Sequence, residues 1–457
     1  MIHLNEAPQL HELKPQLDTF FDLAKQKITL IDKEYDNAKG SPVFTVEGKY
    51  TTRGWTEWTE GFRYGIAILH FDATGDTESL RSGRDQTVQK MATHVSHIGV
   101  HDHGFNNLST YGNLRRLMRE GRIPENEWEQ HFYELAIKVS GAVQAARWTE
   151  RQGGGFIHSF NGPHSLFVDT IRSCRILMLA HRLGHVLMGE GDKPISLLQR
   201  ALQHMESTAK YSVFYGDGRD SYDERGRTTH EAIFNTKDGA YRCPNSQQGY
   251  TGFSTWTRGQ SWAITGFAEE LEMLAEFSDE ELAVFGGRAA IEKMTLDAAI
   301  ATADHCIQNT PTCGIPYWDT GAPKLHLMGD YKNQPADPYN AYEPVDSSAA
   351  AISAQGMLRL GQYFEGKGDA AAAEKYTKAG LRMAKSLFAE PYLSTDPKHQ
   401  GLILHSIYHE PNGWDHKPEA GKAARGESSM WGDYHAMELA VYLQRLIEKK
   451  PYLTFFG

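Results

Sequence analysis

Residues 165–184 read SLFVDTIRSCRILMLAHRLG, and they place one carboxylate, that of Asp169, in a segment whose other residues are mostly apolar. A helix that is apolar on nearly every face is typical of a buried position. An unpaired ionised group in such a position costs several kcal/mol. We therefore expect Asp169 to have either a structural partner or a chemical task.

The segments outside residues 165–184 alternate between two helix patterns. Residues 124–143 carry a one-sided apolar stripe opposite a solvated face, formed by Trp128, Phe132, Leu135, Val139 and Val143. About twelve helices with few convincing strands alternate in this way, buried and one-sided. An inner ring of buried helices inside an outer ring of amphipathic helices is an all-α (α/α)6 barrel, so the sequence predicts one such domain over residues 1–457. An α-solenoid is the alternative fold, but no repeat of 34 to 47 residues supports it.

Bulk composition excludes several classes of protein. Of the 457 residues, 40% are hydrophobic and 23% are charged, and no apolar run is long enough to cross a bilayer. The net charge of −11 argues against a nucleic-acid partner, because binding to phosphates needs clustered Lys and Arg. The four cysteines form no CxxC pair and the N-terminus shows no signal-peptide pattern, so reduced thiols and a cytoplasmic location are expected.

Five long connections are rich in Gly, Pro and aromatic residues. They cover residues 49–62, 153–164, 215–256, 312–342 and 411–427. Loops of this length in a compact domain are usually functional, so we expect them to gather at one end of the barrel as the walls of a cleft. Their aromatic residues indicate a carbohydrate site, because sugar rings stack on aromatic rings; these residues and nearby aromatics are Trp55, Trp58, Phe105, Phe160, Tyr250, Trp256, Trp262, Tyr317, Trp318, Trp414 and Trp431.

Asp102 and Asp169 form a candidate carboxylate pair for acid/base chemistry on a glycoside. The spacing of His101 and His103 also occurs at metal sites, but no further ligand cluster is apparent and no metal is predicted. The alternative role for Asp102 is helix capping. To donate a proton near neutral pH, Asp169 needs a raised pKa, which its apolar neighbours and the like charge of Asp102 favour.

Residues 256–262 read WTRGQSW, and a helix that begins near Thr257 would place Arg258 and Trp262 on one face. A cation beside an indole at the start of a helix suits a carboxylate ligand. The alternative is that Arg258 belongs to a structural ion pair. Catalysis by a Ser/His/Asp triad is poorly supported, because no Gly-x-Ser-x-Gly elbow is present.

Taken together, these motifs resemble the unsaturated glucuronyl hydrolases of glycoside hydrolase family 88 and, more distantly, the unsaturated rhamnogalacturonyl hydrolases of family 105. The resemblance extends from about residue 58 to residue 434. The matching pieces, in order, are WTEGF at 58–62, HDHGF at 101–105, VDT at 168–170, His230, QGY at 248–250, WTRGQSW at 256–262, PYWD at 316–319, DSSA at 346–349 and WGDY at 431–434.

This resemblance implies an (α/α)6 barrel and a hydration reaction without a cofactor. The substrate would be an oligosaccharide with a Δ4,5-unsaturated uronic acid at its nonreducing end, as polysaccharide lyases leave it. Asp169 matches the residue that protonates C4 and activates the water that adds at C5, and Asp102 matches a second essential aspartate. The residues that match the substrate-binding set are His230, Gln248, Arg258, Trp58, Trp256 and Trp262.

Two positions depart from the family pattern and bear on the leaving sugar. Phe160 stands where a tryptophan is expected, and Ser428 lies near a position at which some members contact sulfate. Three alternatives stay open from the sequence: a family 105-type hydrolase, a sugar epimerase with the same fold, and a non-catalytic glycan-binding protein. Whether the protein is a monomer or a homodimer is also left open.

Overall fold

A computed structural model describes residues 1–54, 57–417, 423, 426–451 and 455. Trp55 lies outside these residues, as does part of the connection 411–427. The α-helices, in chain order, are α1 (Lys14–Glu34), α2 (Glu60–Thr74), α3 (Thr77–Lys90), α4 (Ala92–Val95), α5 (His103–Asn107), α6 (Asn113–Arg119), α7 (Glu127–Ala146), α8 (Thr170–Ser173), α9 (Arg175–Arg182), α10 (Leu197–Tyr211), α11 (Thr257–Leu274), α12 (Asp279–Ala283), α13 (Arg288–Asn309), α14 (Ser347–Lys367), α15 (Ala370–Leu387) and α16 (Met430–Ile447). A π-helical turn at Leu108–Gly112 joins α5 to α6.

The helices form two concentric rings. Within the described residues, α2, the α5–α6 unit, the α8–α9 unit, α11, α14 and α16 are buried along most of their length, and each contacts the next. The ring closes because α16 packs against α2. The helices α1, α3, α7, α10, α13 and α15 alternate with these along the chain and cover them from outside. This confirms the (α/α)6 barrel, and the closed ring excludes the solenoid.

Side chains at the helix starts explain where several helices begin. The Asn126 side chain accepts the amides of Trp128 and Glu129 at the start of α7, and the Ser196 hydroxyl accepts the amide of Gln199 at the start of α10. At the start of α14, the Asp346 carboxylate accepts the amides of Ser348 and Ala349. These caps satisfy donors that the first turn of a helix leaves without a partner.

Helix α7 lies in the outer ring, but its apolar stripe does not face the core. Trp128, Phe132 and Leu135 are 83%, 42% and 59% exposed. The inward face carries Tyr133 and Ile137 together with small and polar residues, among them Ser140 and Gln144. The prediction of a one-sided helix is correct. Nothing in the sequence indicated that the large apolar side chains would point to solvent, because periodicity does not show which face of a helix meets the core.

Nine short strands form four small antiparallel sheets among the described residues, which is more strand than the sequence indicated. The pairs are β1 (Phe44–Val46) with β2 (Lys49–Thr51), β3 (Trp148–Arg151) with β4 (Gly154–Ile157), and β6 (Leu187–Met188) with β7 (Pro194–Ile195). The third sheet in chain order has the strand order β5 (Ser165–Phe167), β8 (Glu231–Phe234) and β9 (Tyr241–Asn245). The long loops therefore satisfy part of their backbone polar groups by pairing with one another.

The composition of residues 165–184 suggested a single helix, but the structure shows a strand followed by two helices. It begins as strand β5, turns at Val168 and Asp169, and continues as the buried helices α8 and α9. Strand β5 pairs with β8, and the Val168 amide donates to the His230 carbonyl at 2.9 Å. Asp169 thus lies at a junction between a strand and a helix.

No helix in the described part of the chain has the length and apolar character that crossing a membrane requires. The four cysteines are free, and Cys174 is buried as a small apolar residue, as expected.

Candidate active site

A cavity of about 390 Å³ opens at the end of the barrel where the loops meet. This volume is in the range of small-molecule sites. Its lining residues are Glu57, Trp58, His97, Gly99, Val100, His101, Asp102, Phe105, Phe160, Phe167, Asp169, Gln247, Gln248, Trp256, Arg258, Trp262, Tyr408, His409, Asn412 and Trp414. Four of the five predicted loops contribute to it. The exception, residues 312–342, supports the wall from behind, since the Thr257 amide donates to the Trp318 carbonyl.

The two predicted aspartates meet at the base of this cavity. Asp102 immediately precedes α5, but its side chain makes no capping hydrogen bond, which argues against the capping alternative. Asp102 and Asp169 are 6% and 8% exposed. His101 lies between them, with its Nε2 atom 3.8 Å from Asp102 Oδ1 and 3.8 Å from Asp169 Oδ1. The structure thus brings together a cluster of one imidazole and two carboxylates, the Asp102–His101–Asp169 cluster.

His103 is not part of this cluster. Its Nδ1 atom is hydrogen-bonded to the Ser140 hydroxyl and its Nε2 atom to the His97 carbonyl. The spacing of His101 and His103 therefore does not form a metal site with both imidazoles. His101, Asp102 and Asp169 do offer three ligand atoms within 4.8 Å of one another, a spacing that suits a cation as well as proton transfer.

The pKa values within the cluster differ from the expectation for Asp169. Burial raises the pKa of Asp102 to about 6, while His101 opposes the shift and the charge of Asp169 adds to it. Burial also raises the pKa of Asp169, but His101 and His230 outweigh it, so the pKa lies below the usual value. The expectation that its pKa is raised is thus wrong for the free protein, because the sequence did not show that two imidazoles surround it.

His101 is the partner that links these two carboxylates electrostatically. Burial lowers its pKa, but Asp102 and Asp169 together raise it above the usual value for histidine. The imidazole is completely buried, and neither ring nitrogen has a hydrogen-bond partner. A protonated His101 therefore gains its stabilisation from the two carboxylates, and the cluster can hold protons at a pH at which isolated aspartates would not.

His230 lies beside Asp169 because strands β5 and β8 are paired. Its Nδ1 atom accepts the amides of Gln247 and Gln248 at 3.0 and 3.2 Å, so Nε2 carries the proton. That Nε2 atom is buried and has no hydrogen-bond partner. Burial lowers the pKa of His230 to about 3, which makes it a neutral donor throughout the physiological range.

Arg258 forms the structural ion pair that the sequence left as an alternative, and it also lines the cavity. Its guanidinium forms an ion pair with Asp346 at 3.0 Å and donates to the carbonyls of Ile407 and Tyr408. It also donates to Gln248 Oε1 at 2.8 Å. Because Arg258 occupies this oxygen, the amide group of Gln248 keeps its two N–H donors for a ligand.

Aromatic rings form the remaining walls. Trp58, Trp256 and Trp262 line the cavity as predicted, and the exposed Phe160 ring stacks on His101 with a centroid distance of 6.0 Å. Other aromatics named from the sequence lie elsewhere: Trp431 is fully buried behind Trp58, and Tyr250 and Trp318 line a separate groove.

Ser428 does not line the cavity, contrary to the sequence-based assignment. It is buried beside strand β1, where its hydroxyl donates to the Ile403 carbonyl and its amide donates to Thr45 Oγ1. The Ser428 hydroxyl is thus hydrogen-bonded within the protein and does not face a ligand in the cavity.

The sequence missed several lining residues, among them His97, Gln247, Tyr408, His409 and Asn412. Each lies in a loop with no motif of its own. The only available signal was their position in or near connections rich in Gly and Pro, which does not distinguish residues that line a cavity from their neighbours.

The structure thus combines a closed double ring of helices, an (α/α)6 barrel, with paired carboxylates in an aromatic cavity. No protein-family model matches the chain. Curated relatives do: the chain is 26% identical to the unsaturated glucuronyl hydrolase of Bacillus sp. strain GL1, over 87% of this chain and 89% of that protein. It is 24% identical to the unsaturated glucuronyl hydrolase of Formosa agariphila, over 86% of this chain and 81% of that protein.

The comparison with solved structures finds the same class of protein. The crystal structure of the Bacillus sp. GL1 enzyme superposes with a TM-score of 0.70 at 22% identity, covering 95% of this chain and 97% of that one. Both kinds of comparison thus confirm the predicted resemblance to unsaturated glucuronyl hydrolases over most of the chain.

Proposed function

We propose that the protein is a glycoside hydrolase that hydrates the C4=C5 double bond of an unsaturated uronic acid at the nonreducing end of an oligosaccharide. The observation that carries this proposal is the Asp102–His101–Asp169 cluster at the base of an aromatic cavity, in a chain similar to unsaturated glucuronyl hydrolases over most of its length. One related structure, from Streptococcus agalactiae, holds dGlcA-GalNAc6S. We also propose that residues 1–457 form one domain, since the ring closes only through its last helix.

In the proposed reaction Asp169 gives its proton to C4, and water adds at C5 while its proton returns to the Asp169 carboxylate. The resulting hemiketal opens, and the remaining sugar leaves. In the free protein His101 and Asp102 hold their protons to a higher pH than Asp169 does, because their pKa values are raised and that of Asp169 is lowered. A bound uronate adds another negative charge, and like charge raises the pKa of Asp169 toward the value that an acid needs.

Other cavity residues position the substrate. The free N–H donors of Gln248 and the Nε2–H of His230 suit the uronate carboxylate or its hydroxyl groups. Trp58, Trp256 and Trp262 offer apolar surfaces to the sugar rings, and Phe160, at the exposed edge, is proposed to contact the leaving sugar. Arg258 acts through Gln248 as a positioning residue.

The direct test follows the ultraviolet absorbance of the unsaturated uronate during incubation with lyase-generated disaccharides. We expect the absorbance to fall, and Asp169→Asn to slow this loss by a factor of about 10² to 10⁴, the usual contribution of a positioned acid or base. The variant should bind the disaccharide and keep the wild-type circular dichroism, while the exposed Asp85→Asn is the matched control. Unchanged turnover in Asp169→Asn would assign the acid to another residue, and binding without absorbance loss by the wild type would favour a glycan-binding protein.

The reaction is proposed to need no metal, although the cluster could hold a cation. Dialysis against EDTA should therefore leave the rate of absorbance loss unchanged. A loss of rate that Zn²⁺ or Mn²⁺ restores would show that the cluster acts as a metal site.

A further inference from the structure

The outward face of α7 carries an apolar seam with a regular spacing. Its members recur at steps of four and three residues, the heptad spacing of a helix that packs against another helix; they are Trp128, Phe132, Leu135, Val139, Ala142 and Ala146. The first three are among the large exposed apolar side chains of the described chain. Contiguous apolar surface of this kind marks a site of association.

The seam is complementary to itself under a two-fold rotation. If two copies of α7 pack antiparallel about a point midway between Leu135 and Val139, Leu135 lies opposite Val139 of the other copy. Phe132 then lies opposite Ala142, and Trp128 opposite Ala146. Each large side chain meets a small one, which is how facing positions interdigitate in a well-packed helix pair. A two-fold interface requires this self-complementarity.

The charges at the two ends of α7 favour the same arrangement. Glu125 and Glu127 are exposed at its beginning. At the other end the Arg200 guanidinium donates to the Ala145 carbonyl, whereas the Arg147 guanidinium is directed inward to the carbonyls of Ile98, His158 and Ser159. Antiparallel packing brings the acidic end of one helix to the basic end of the other, whereas parallel packing would bring like charges together.

The length of the seam sets how wide a stable contact must be. The seam spans 18 residue steps, about 27 Å at 1.5 Å per residue. A contact of that length needs a width of about 30 Å to bury roughly 800 Å² per subunit, the usual size of a specific interface. Exposed apolar side chains extend the face on elements next to α7: Val88 lies on α3, and Met188 lies on strand β6, which contacts α7.

We propose that the protein forms a homodimer in which the α7 seams of two copies pack antiparallel. The inward face of the same helix supports the candidate active site, since Gln144 Nε2 donates to the His101 carbonyl and Ser140 is hydrogen-bonded to His103. Dimer formation therefore covers the outer face of a helix whose inner face holds the cluster in place. This inference is independent of the proposed substrate.

The first test is the mass of the full-length protein in solution by light scattering after size-exclusion chromatography. The wild type should elute at twice the chain mass of 51.3 kDa. Leu135→Glu places two carboxylates near the two-fold axis and should give a monomer with unchanged circular dichroism. Val284→Glu, at a position that is 77% exposed, is the matched control and should stay a dimer. A monomeric wild type, or a Leu135→Glu dimer, overturns the proposal.

Disulfide trapping tests the orientation. In a background with the exposed Cys243 replaced by serine, chains with Trp128→Cys and chains with Ala146→Cys are oxidised separately and as a mixture. Antiparallel packing predicts covalent dimers in the mixture and few in either separate sample, because identical positions at the helix ends are about 27 Å apart. Trapping of Trp128→Cys with itself would indicate parallel packing, and no trapping in the mixture would exclude the seam as the interface.

Discussion

At the scale of single residues, the Asp102–His101–Asp169 cluster makes the stability of the free protein depend on pH. Asp102 is buried and its pKa is raised to about 6, so its ionised form is disfavoured in the folded state. His101 has a raised pKa, and its favourable charge is lost when the pH rises above that value. Both effects have the same sign, so Asp102 and His101 destabilise the fold as the pH rises, whereas Asp169, whose pKa is lowered, acts in the opposite direction at lower pH.

This sign leads to a prediction for Asp102→Asn. Between about pH 4 and pH 6 the wild type loses stability through Asp102, by about 3 kcal/mol at most for a shift of roughly two pKa units. Asparagine does not titrate, so the Tm advantage of the variant over the wild type should be small at pH 4 and larger at pH 8, although the variant turns over substrate poorly. Differential scanning calorimetry at both pH values measures this difference. An equal Tm difference at both pH values, or one that Asp85→Asn reproduces, would contradict the prediction.

At the scale of elements, strand pairing and loop anchoring place the site residues. Strands β5 and β8 bring His230 beside Asp169, and the inward face of α7 holds the loop that contains His101. On the opposite wall, the Asp415 carboxylate accepts the amides of Tyr408 and His409 at 2.6 and 2.7 Å. In these contacts a side chain is hydrogen-bonded to backbone groups of a loop, so the contacts fix the position of the loop.

Asp415→Asn should therefore act on substrate binding. An amide has one acceptor oxygen in place of two, so one of the two buried N–H groups loses its partner, at a cost of about 1–3 kcal/mol. We expect KM to rise about tenfold or more with a smaller change in kcat, measured by the absorbance assay. Asp238→Asn is the control, because Asp238 accepts the Ala240 amide in an exposed turn. A fall in kcat at unchanged KM would instead give Asp415 a part in the chemistry.

At the scale of the whole molecule, a buried ion network joins three inner helices. Arg172 on α8 lies 3.0 Å from Glu269 on α11 and 2.6 Å from Glu438 on α16. Burial raises the pKa of both glutamates, but Arg172 outweighs it and holds both values below the usual range. Arg175 and Arg359 also contact Glu269, and Arg359 is paired with Glu272, so the network contains three cations and three carboxyl groups.

Removing the central cation should weaken the closed ring. Arg172→Met leaves Glu438 without its closest cation, and breaking a buried ion pair on one side typically costs about 3–5 kcal/mol. The Tm should fall clearly, whereas Arg288→Met at a partly exposed ion pair should cost at most about 1 kcal/mol. Equal Tm values for the two variants would show that the network contributes nothing to closure.

The sequence by itself determined the fold class and the two aspartates. Alternation of buried and one-sided helices is a local property of the chain, and it predicted the double ring. Asp169 was recognisable because a carboxylate among apolar neighbours is unusual, and Asp102 because it lies in the HDHGF motif at 101–105. The helix start near Thr257 was also predicted, and the structure places it at that residue.

Only the tertiary structure decided which groups surround these residues. His101 lies between the two aspartates and reverses the expected direction of the Asp169 pKa, an effect of distances between residues far apart in the chain. Ser428 is held by Ile403 and Thr45, away from the cavity. The seam of α7 has the period of a core face but points to solvent. Periodicity measures how side chains are distributed around a helix, whereas the neighbours of that helix decide which side is buried.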